Sequence, residues 1–458
     1  MTPLKIETED LTERQVQLTV EVPDEAIEAA MHRAARHLSR HAKIAGFRPG
    51  KAPYEVILQR YGEEAIFEEA LDTLGQEIYR QALEDSALDP VAPGSLDDVV
   101  SRKPLVLRYT VPLTPEIDLG AYRDVRIPFE TPHVTDDAVE ELLESLRQQQ
   151  ALIEPADRPA GMSDVVVLDT KGSLHPTEPD GERGILMDEK GVSLLLAETT
   201  DFPFPGVSSH LVDRSAGESV DAEFTFPEDY PNEKLRGRSA DFHFEIQAVK
   251  SRQVPDWSDD LVRNLGDFED LTDLRAKVRK SLEERSLAQA DDEYAEKVIQ
   301  QVVDGSRLEY PPVLLRQEID DTLTDLDRRL KEQRLTLADY LRIEKKSEDD
   351  IRAELEPQAR RRLGRALVLG RVVEAEGLEV GDEDIDGALD RLSASMSDQS
   401  QQVRKALDQP AGRRRIALDL LTDKAVARLV QIARGEAPPP GEPTPPGDKA
   451  PEPGETDS

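Results

Sequence analysis

The chain has 458 residues, no cysteine, and 95 Asp and Glu against 58 Lys and Arg, a formal net charge of −37. Without cysteine there can be no disulfide, no thiolate nucleophile and no cysteine-ligated metal. So large an excess of acid also argues against a general nucleic-acid or membrane-surface binder. The length predicts about three domains. Charged residues at 33% with aromatics at 4% favour long solvated helices and several modest cores. The start, Met1 to Glu7, has no apolar stretch of signal-peptide type and no run approaches 18 apolar residues. A soluble, cytoplasmic protein is therefore expected.

Residues 4–9 and 14–22 alternate polar and apolar, the period of a half-buried strand. Pro23-Asp24-Glu25 opens a helix whose apolar positions Ile27, Met31, Ala34, Leu38 and Ala42 recur at helical spacing until Gly46. Helices resume at Tyr54–Tyr61 and from about Glu63 to Ala87, and alternating segments near 95–102 and 104–113 are expected to pair with the first two strands. Residues 1–113 thus read as a small α+β domain. Residues 114–155 carry scattered prolines and one helix from about Asp136, a semi-rigid connector. Residues 156–250 change to short strands around turns, with Phe224/Phe226 and Phe242/Phe244/Ile246 alternating, which predicts an antiparallel sheet domain. From 251 to 434 the chain is helical, with helices near 270–303, 312–333, 347–375, 382–396 and 411–434. Its apolar positions Leu314, Leu323, Leu326, Leu330, Leu363, Leu367, Val368 and Met396 are expected in the core. Residues 435–458 form an acidic, Pro-rich tail with no apolar pattern, expected to be disordered.

One stretch concentrates unusual chemistry. Gly46-Phe47-Arg48-Pro49-Gly50-Lys51-Ala52-Pro53 has four Gly or Pro in eight positions, which makes a stiff protruding turn, and sets an aromatic between cations. From Met31 to Tyr61 there are seven Lys or Arg and one acid, Glu55, a local +6 within the acidic chain. A phosphate-binding loop is excluded: three residues separate Gly46 and Gly50, and Ala52 stands where Ser or Thr must ligate magnesium. His37 and His41 share a helix face at i, i+4, but their surroundings are cationic, so exposed imidazoles and no metal are expected. No cofactor is expected either.

Gly46–Pro53 followed by Gln59-Arg60-Tyr61-Gly62 resembles the signature loop of bacterial trigger factors, and the order of domains matches that family along roughly 1–434. Phe226-Pro227-Glu228-Asp229-Tyr230 and Leu235–Phe242 resemble the family's FKBP-like peptidyl-prolyl isomerase domain. The resemblance implies a multidomain α+β protein: a ribosome-binding α+β domain, an FKBP-like antiparallel sheet domain, and an all-α chaperone domain with projecting arms. It implies an ATP-independent chaperone that docks on the large ribosomal subunit at the exit tunnel, shields nascent chains, and assists their folding and export. Gly46 to Pro53 would make the contact: Phe47 filling an apolar notch, Arg48 pairing with a carboxylate of an exit-tunnel protein, Lys51 with rRNA phosphate. Arg36, Arg40 and Lys43 would widen the rRNA contact. The family usually has Phe-Arg-Lys where this chain has Phe47-Arg48-Pro49, one cation fewer.

In the sheet domain Tyr230 matches a pocket aromatic and is the candidate catalytic residue. Val207 stands where the family has Phe, and Thr170 where an aromatic is usual. Prolyl isomerisation needs an apolar pocket to hold the twisted amide rather than a nucleophile, so an isomerase of reduced activity is expected. Phe202 and Phe204 could substitute, and the sequence leaves their direction open. A rival reading makes the protein primarily an isomerase with a secondary chaperone surface. A periplasmic chaperone-isomerase is disfavoured by the lack of a signal peptide. A homodimer off the ribosome is left open.

Overall fold

A computed structural model describes residues 4–41, 47–48, 50–175, 184–394, 404–405 and 407–441. The chain divides into two compact units, 1–130 with 291–458, and 131–290.

The alternating segments at the start become β1 (Lys5–Asp10) and β2 (Gln15–Val22). Helices α1 (Asp24–His41) and α2 (Tyr54–Ser86) follow, then β3 (Ser95–Arg102) and β4 (Leu105–Pro112). The strands lie in the order β1-β2-β4-β3, all antiparallel. Register places Val16, Leu18, Val20 and Val22 of β2 beside Val111, Tyr109, Leu107 and Leu105 of β4. The period of two therefore puts all eight on the face covered by the helices, where they are buried with Ile57, Ile66, Leu74 and Ile78 of α2. The break read at Gly62 is a kink inside α2: Gly62 takes φ 83°, ψ 163°, a conformation only glycine adopts without strain. A short strand β5 (Glu116–Asp118) and a 3-10 turn at Tyr122–Asp124 continue the chain.

The second unit starts with α3 (Asp136–Gln149), capped by the Thr135 hydroxyl, which accepts from the Ala138 amide. The sheet comprises β6 (Leu152–Pro155), β7 (Val165–Leu174), β8 (Gly184–Leu195), β9 (Ser219–Thr225) and β10 (Ser239–Gln253), with a single helical turn α4 (Ser208–Leu211) before β9. Long β10 is the hub, pairing antiparallel with β6, β7 and β9, while β8 pairs with β7. Helices α5 (Asp259–Leu265) and α6 (Leu271–Gly305) follow. The connector helix α3 is packed: its Val139 and Leu143 are buried with Val262 of α5 and Leu274 and Val278 of α6, and Glu140 pairs with Arg275 at 2.8 Å.

The described residues of the first unit from 291 onward are mainly helical. After β11 (Arg307–Glu309), paired with β5, come α7 (Pro312–Glu332), α8 (Leu337–Glu344), α9 (Glu348–Glu376), α10 (Asp382–Ala394) and α11 (Pro410–Arg434). The core joins Val298, Ile299 and Val302 of α6 to Val368, Leu369 and Val372 of α9 and Leu429 and Ile432 of α11. Leu323, Leu330, Leu363 and Val368 are buried as expected, Leu314, Leu326 and Leu367 are only partly buried, and Met396 lies outside the described residues. Within this core the Glu376 carboxylate, fully buried, accepts from the Tyr122 hydroxyl at 2.7 Å and lies 3.1 Å from the equally buried Arg428 and 3.3 Å from Arg123. Residues 435–441 lie against the same helices: Gly441 N–H donates to the Glu376 carbonyl and Arg123 donates to that of Pro438. The rest of the acidic tail falls outside the described residues.

Candidate functional site

The basic stretch lies where α1 gives way to α2. Phe47 is 41% exposed and Arg48 is exposed beside it. Gly50 turns the chain back: its φ of +79° suits glycine, its N–H donates to the Ser39 carbonyl at 2.9 Å, and a Cβ there would meet Cγ of Arg40 at 3.0 Å. Lys51 N–H donates to the Arg48 carbonyl, closing a turn that keeps both side chains outward. Ala52 is buried in the domain core and Pro53 opens α2 in an extended conformation. Tyr54 rests on His32 at 4.4 Å between ring centroids, and burial raises its hydroxyl above the usual range, helped by Glu63 and Glu55. The turn is thus anchored at both sides by core residues.

The structure brings Arg36, Arg40, Phe47, Arg48, Gly50 and Lys51 to this one end of the helix pair. Gly46, Pro49 and Lys43 lie outside the described residues. Arg33 behaves differently, since it pairs with Glu77 of α2 at 2.8 Å. His37 likewise meets Glu69 at 2.7 Å, a partner 32 residues away that helical spacing could not show. By contrast, Arg36, Arg40, Arg48 and Lys51 form no ion pair with any described residue. In a chain where acids outnumber bases this leaves a cluster of cations available to something outside the molecule.

The second candidate region is the aromatic interior of the sheet domain. Phe204 points inward, 1% exposed, stacked on Phe224 at 4.7 Å and tilted against Phe242 at 4.8 Å. Phe202 points outward, 44% exposed. Thr170 and Val207 are wholly buried, and the Thr170 hydroxyl has no hydrogen-bond partner. Tyr230 is half-buried, tilted on Phe226 at 4.8 Å, with its carbonyl accepting from Arg236 at 2.7 Å. Phe226, Phe242 and Phe244 pack the core.

Family models described as the bacterial trigger factor protein and its C-terminus match residues 4–146 and 270–431. A trigger factor of Thermoanaerobacter sp. (strain X514) is 32% identical over 395 residues, 86% of this chain and 89% of its own length. The chain belongs to the trigger factor family. Another trigger factor, from Carboxydothermus hydrogenoformans, is 30% identical across 94% of this chain and all of its own. A solved trigger factor chaperone, described for promiscuous substrate recognition in folding and assembly, shares the fold with TM-score 0.53 and 21% identity, covering 93% of this chain and 99% of that one. As a trigger factor the protein is a ribosome-associated chaperone, and the reading that makes it primarily an isomerase is not favoured. The family carries a peptidyl-prolyl isomerase domain and binds ribosomes and nascent chains. Among the described residues, no helix is long and apolar enough to cross a membrane.

Proposed function

We propose that the protein docks on the large ribosomal subunit through Phe47, Arg48, Gly50, Lys51, Ala52 and Pro53, with Gly46 and Pro49 completing the loop. Arg36, Arg40 and Lys43 broaden the contact with rRNA. The supporting observation is the set of cations that form no ion pair with any described residue around an exposed Phe47, in a domain where the neighbouring Arg33 is neutralised. Arg48 meets a carboxylate on an exit-tunnel protein and Lys51 a phosphate, both charge-assisted contacts. Phe47 supplies apolar burial that the missing third cation does not. Residues 1–113 serve as the docking domain, 114–155 as connector, 156–250 as the sheet domain, 251–434 as the cradle for emerging chains, and the acidic tail of 435–458, beyond its packed start at 435–441, as a solvating segment. The protein works in the cytoplasm. Co-sedimentation of the full chain with ribosomes tests the docking: Phe47→Ala with Arg48→Ala should abolish it, and unchanged co-sedimentation sinks the assignment.

The isomerase activity of the sheet domain is much reduced, and the domain serves mainly to bind or space peptides. Phe204 is spent on core packing against Phe224 and Phe242, and Val207 and Thr170 stand where the family usually has aromatics. Tyr230 remains the candidate to face a substrate amide. A protease-coupled proline-peptide assay giving rates typical of the family would overturn this reading.

A further inference from the structure

The outward face of the sheet domain carries a second cluster, unrelated to the aromatic interior. Antiparallel register sets Asp241 of β10 directly opposite Glu223 of β9, two carboxylates side by side on one face. Like charges in that relation repel. His175, one residue past the end of β7, is held by its N–H donating to the Ser239 carbonyl, which brings its ring over the same spot. Its Nε2 lies 2.9 Å from Oδ1 of Asp241, is sealed from solvent, and makes no aligned hydrogen bond there. Ligand atoms of His175, Glu223 and Asp241 all fall within 4.8 Å of one another. Glu223 and Asp241 line a groove of about 750 Å³ whose wall, among the described residues, also includes Asp188, Asp221, His243 and Lys171. His243 is engaged with Asp221 at 2.6 Å, the next register pair along the face.

We propose that His175, Glu223 and Asp241 bind a divalent transition metal of the zinc class. One imidazole nitrogen and two carboxylate oxygens make a borderline-soft, charge-neutralising set that suits zinc, cobalt or nickel better than calcium, which takes six to eight oxygens. Donors about 2.1 Å from a tetrahedral ion stand about 3.4 Å apart, so His175 and Asp241 must separate slightly and Glu223 close in. The three side chains are partly or fully exposed and their rotamers can make that change. The open groove leaves room for water as the fourth ligand. The ion would tie the end of β7 to β9 and β10. The sequence concealed the site because its members lie 18 to 66 positions apart and meet only through sheet register.

Titration of the full chain with cobalt(II), followed by its visible absorption, and with zinc by calorimetry, tests this. One equivalent should bind to the wild type. His175→Ala and Glu223→Gln should each lower affinity at least tenfold, while His37→Ala should leave it unchanged. Asp241→Asn, which preserves side-chain size, should behave like Glu223→Gln with an unaltered circular dichroism spectrum. No binding to the wild type, wild-type affinity in His175→Ala, or an equal loss in His37→Ala would overturn the assignment.

Discussion

Thr170 and Gly50 show how much single positions decide here. The Thr170 hydroxyl is buried without a partner, so it bears a desolvation cost that a methyl group of the same shape would not. Thr170→Val should stabilise the sheet domain by about 1 kcal/mol, seen as a rise of its thermal midpoint. Gly50 combines positive φ with close approach to Arg40. Gly50→Ala should cost about 1 kcal/mol and weaken ribosome binding by tilting Arg48 and Lys51, with α1 and α2 intact by circular dichroism. The exposed turn was legible because Gly, Pro, Phe and cations at that spacing are local facts. The direction of Phe204 was not: Phe202 and Phe204 are alike in sequence, and only packing against Phe224 and Phe242 sends one inward and the other to solvent.

At the scale of elements, the helices of the first unit are pinned by one buried carboxylate. Glu376 of α9 pairs with Arg428 of α11 and with Arg123 in the 3-10 turn. Glu376→Gln should cost about 3 kcal/mol, because the wholly buried Arg428 loses the charge of this carboxylate, and denaturant unfolding measures it. Replacing Glu376 and Arg428 together by Met should recover most of that loss. Burial, then the hydrogen bond to Glu376, pushes the Tyr122 phenol up to about 12. An unfolded tyrosine ionises near pH 10, so between about pH 10 and 12 the unfolded chain releases a proton that the folded one keeps. Stability is therefore full below pH 10 and falls through that window. Tyr122→Phe should remove this part of the alkaline loss, read from denaturant midpoints at pH 8 and 11. The long helices and the strands were readable from periodicity and from Gly and Pro stops. Helices α5 and α8 escaped it because seven or eight residues give too few turns for a period. Packing of α3 against α5 and α6 depends on residues more than a hundred positions apart and has no local signal.

Across the whole molecule, charge is unevenly shared. Residues 1–113 hold 20 acids and 13 bases, so most of the net −37 lies elsewhere. Cations at the turn should make ribosome binding fall with salt, with a log–log slope of about −2 to −3 for about three phosphates. Below about 0.03 M the Debye length exceeds 15 Å, and repulsion between rRNA and the acidic remainder should flatten that line. A line that stays straight to the lowest salt would mean that only the turn is felt. The first unit is discontinuous, its early part, 1–130, interrupted by 131–290 before 291–458. Leu119 and Tyr122 emerge from synthesis early, yet the helices that bury and bond them are made last. At about 5–20 residues per second the wait is roughly 13–60 s. During that interval a protein that shelters unfinished chains carries an unfinished surface of its own, of the kind it exists to cover.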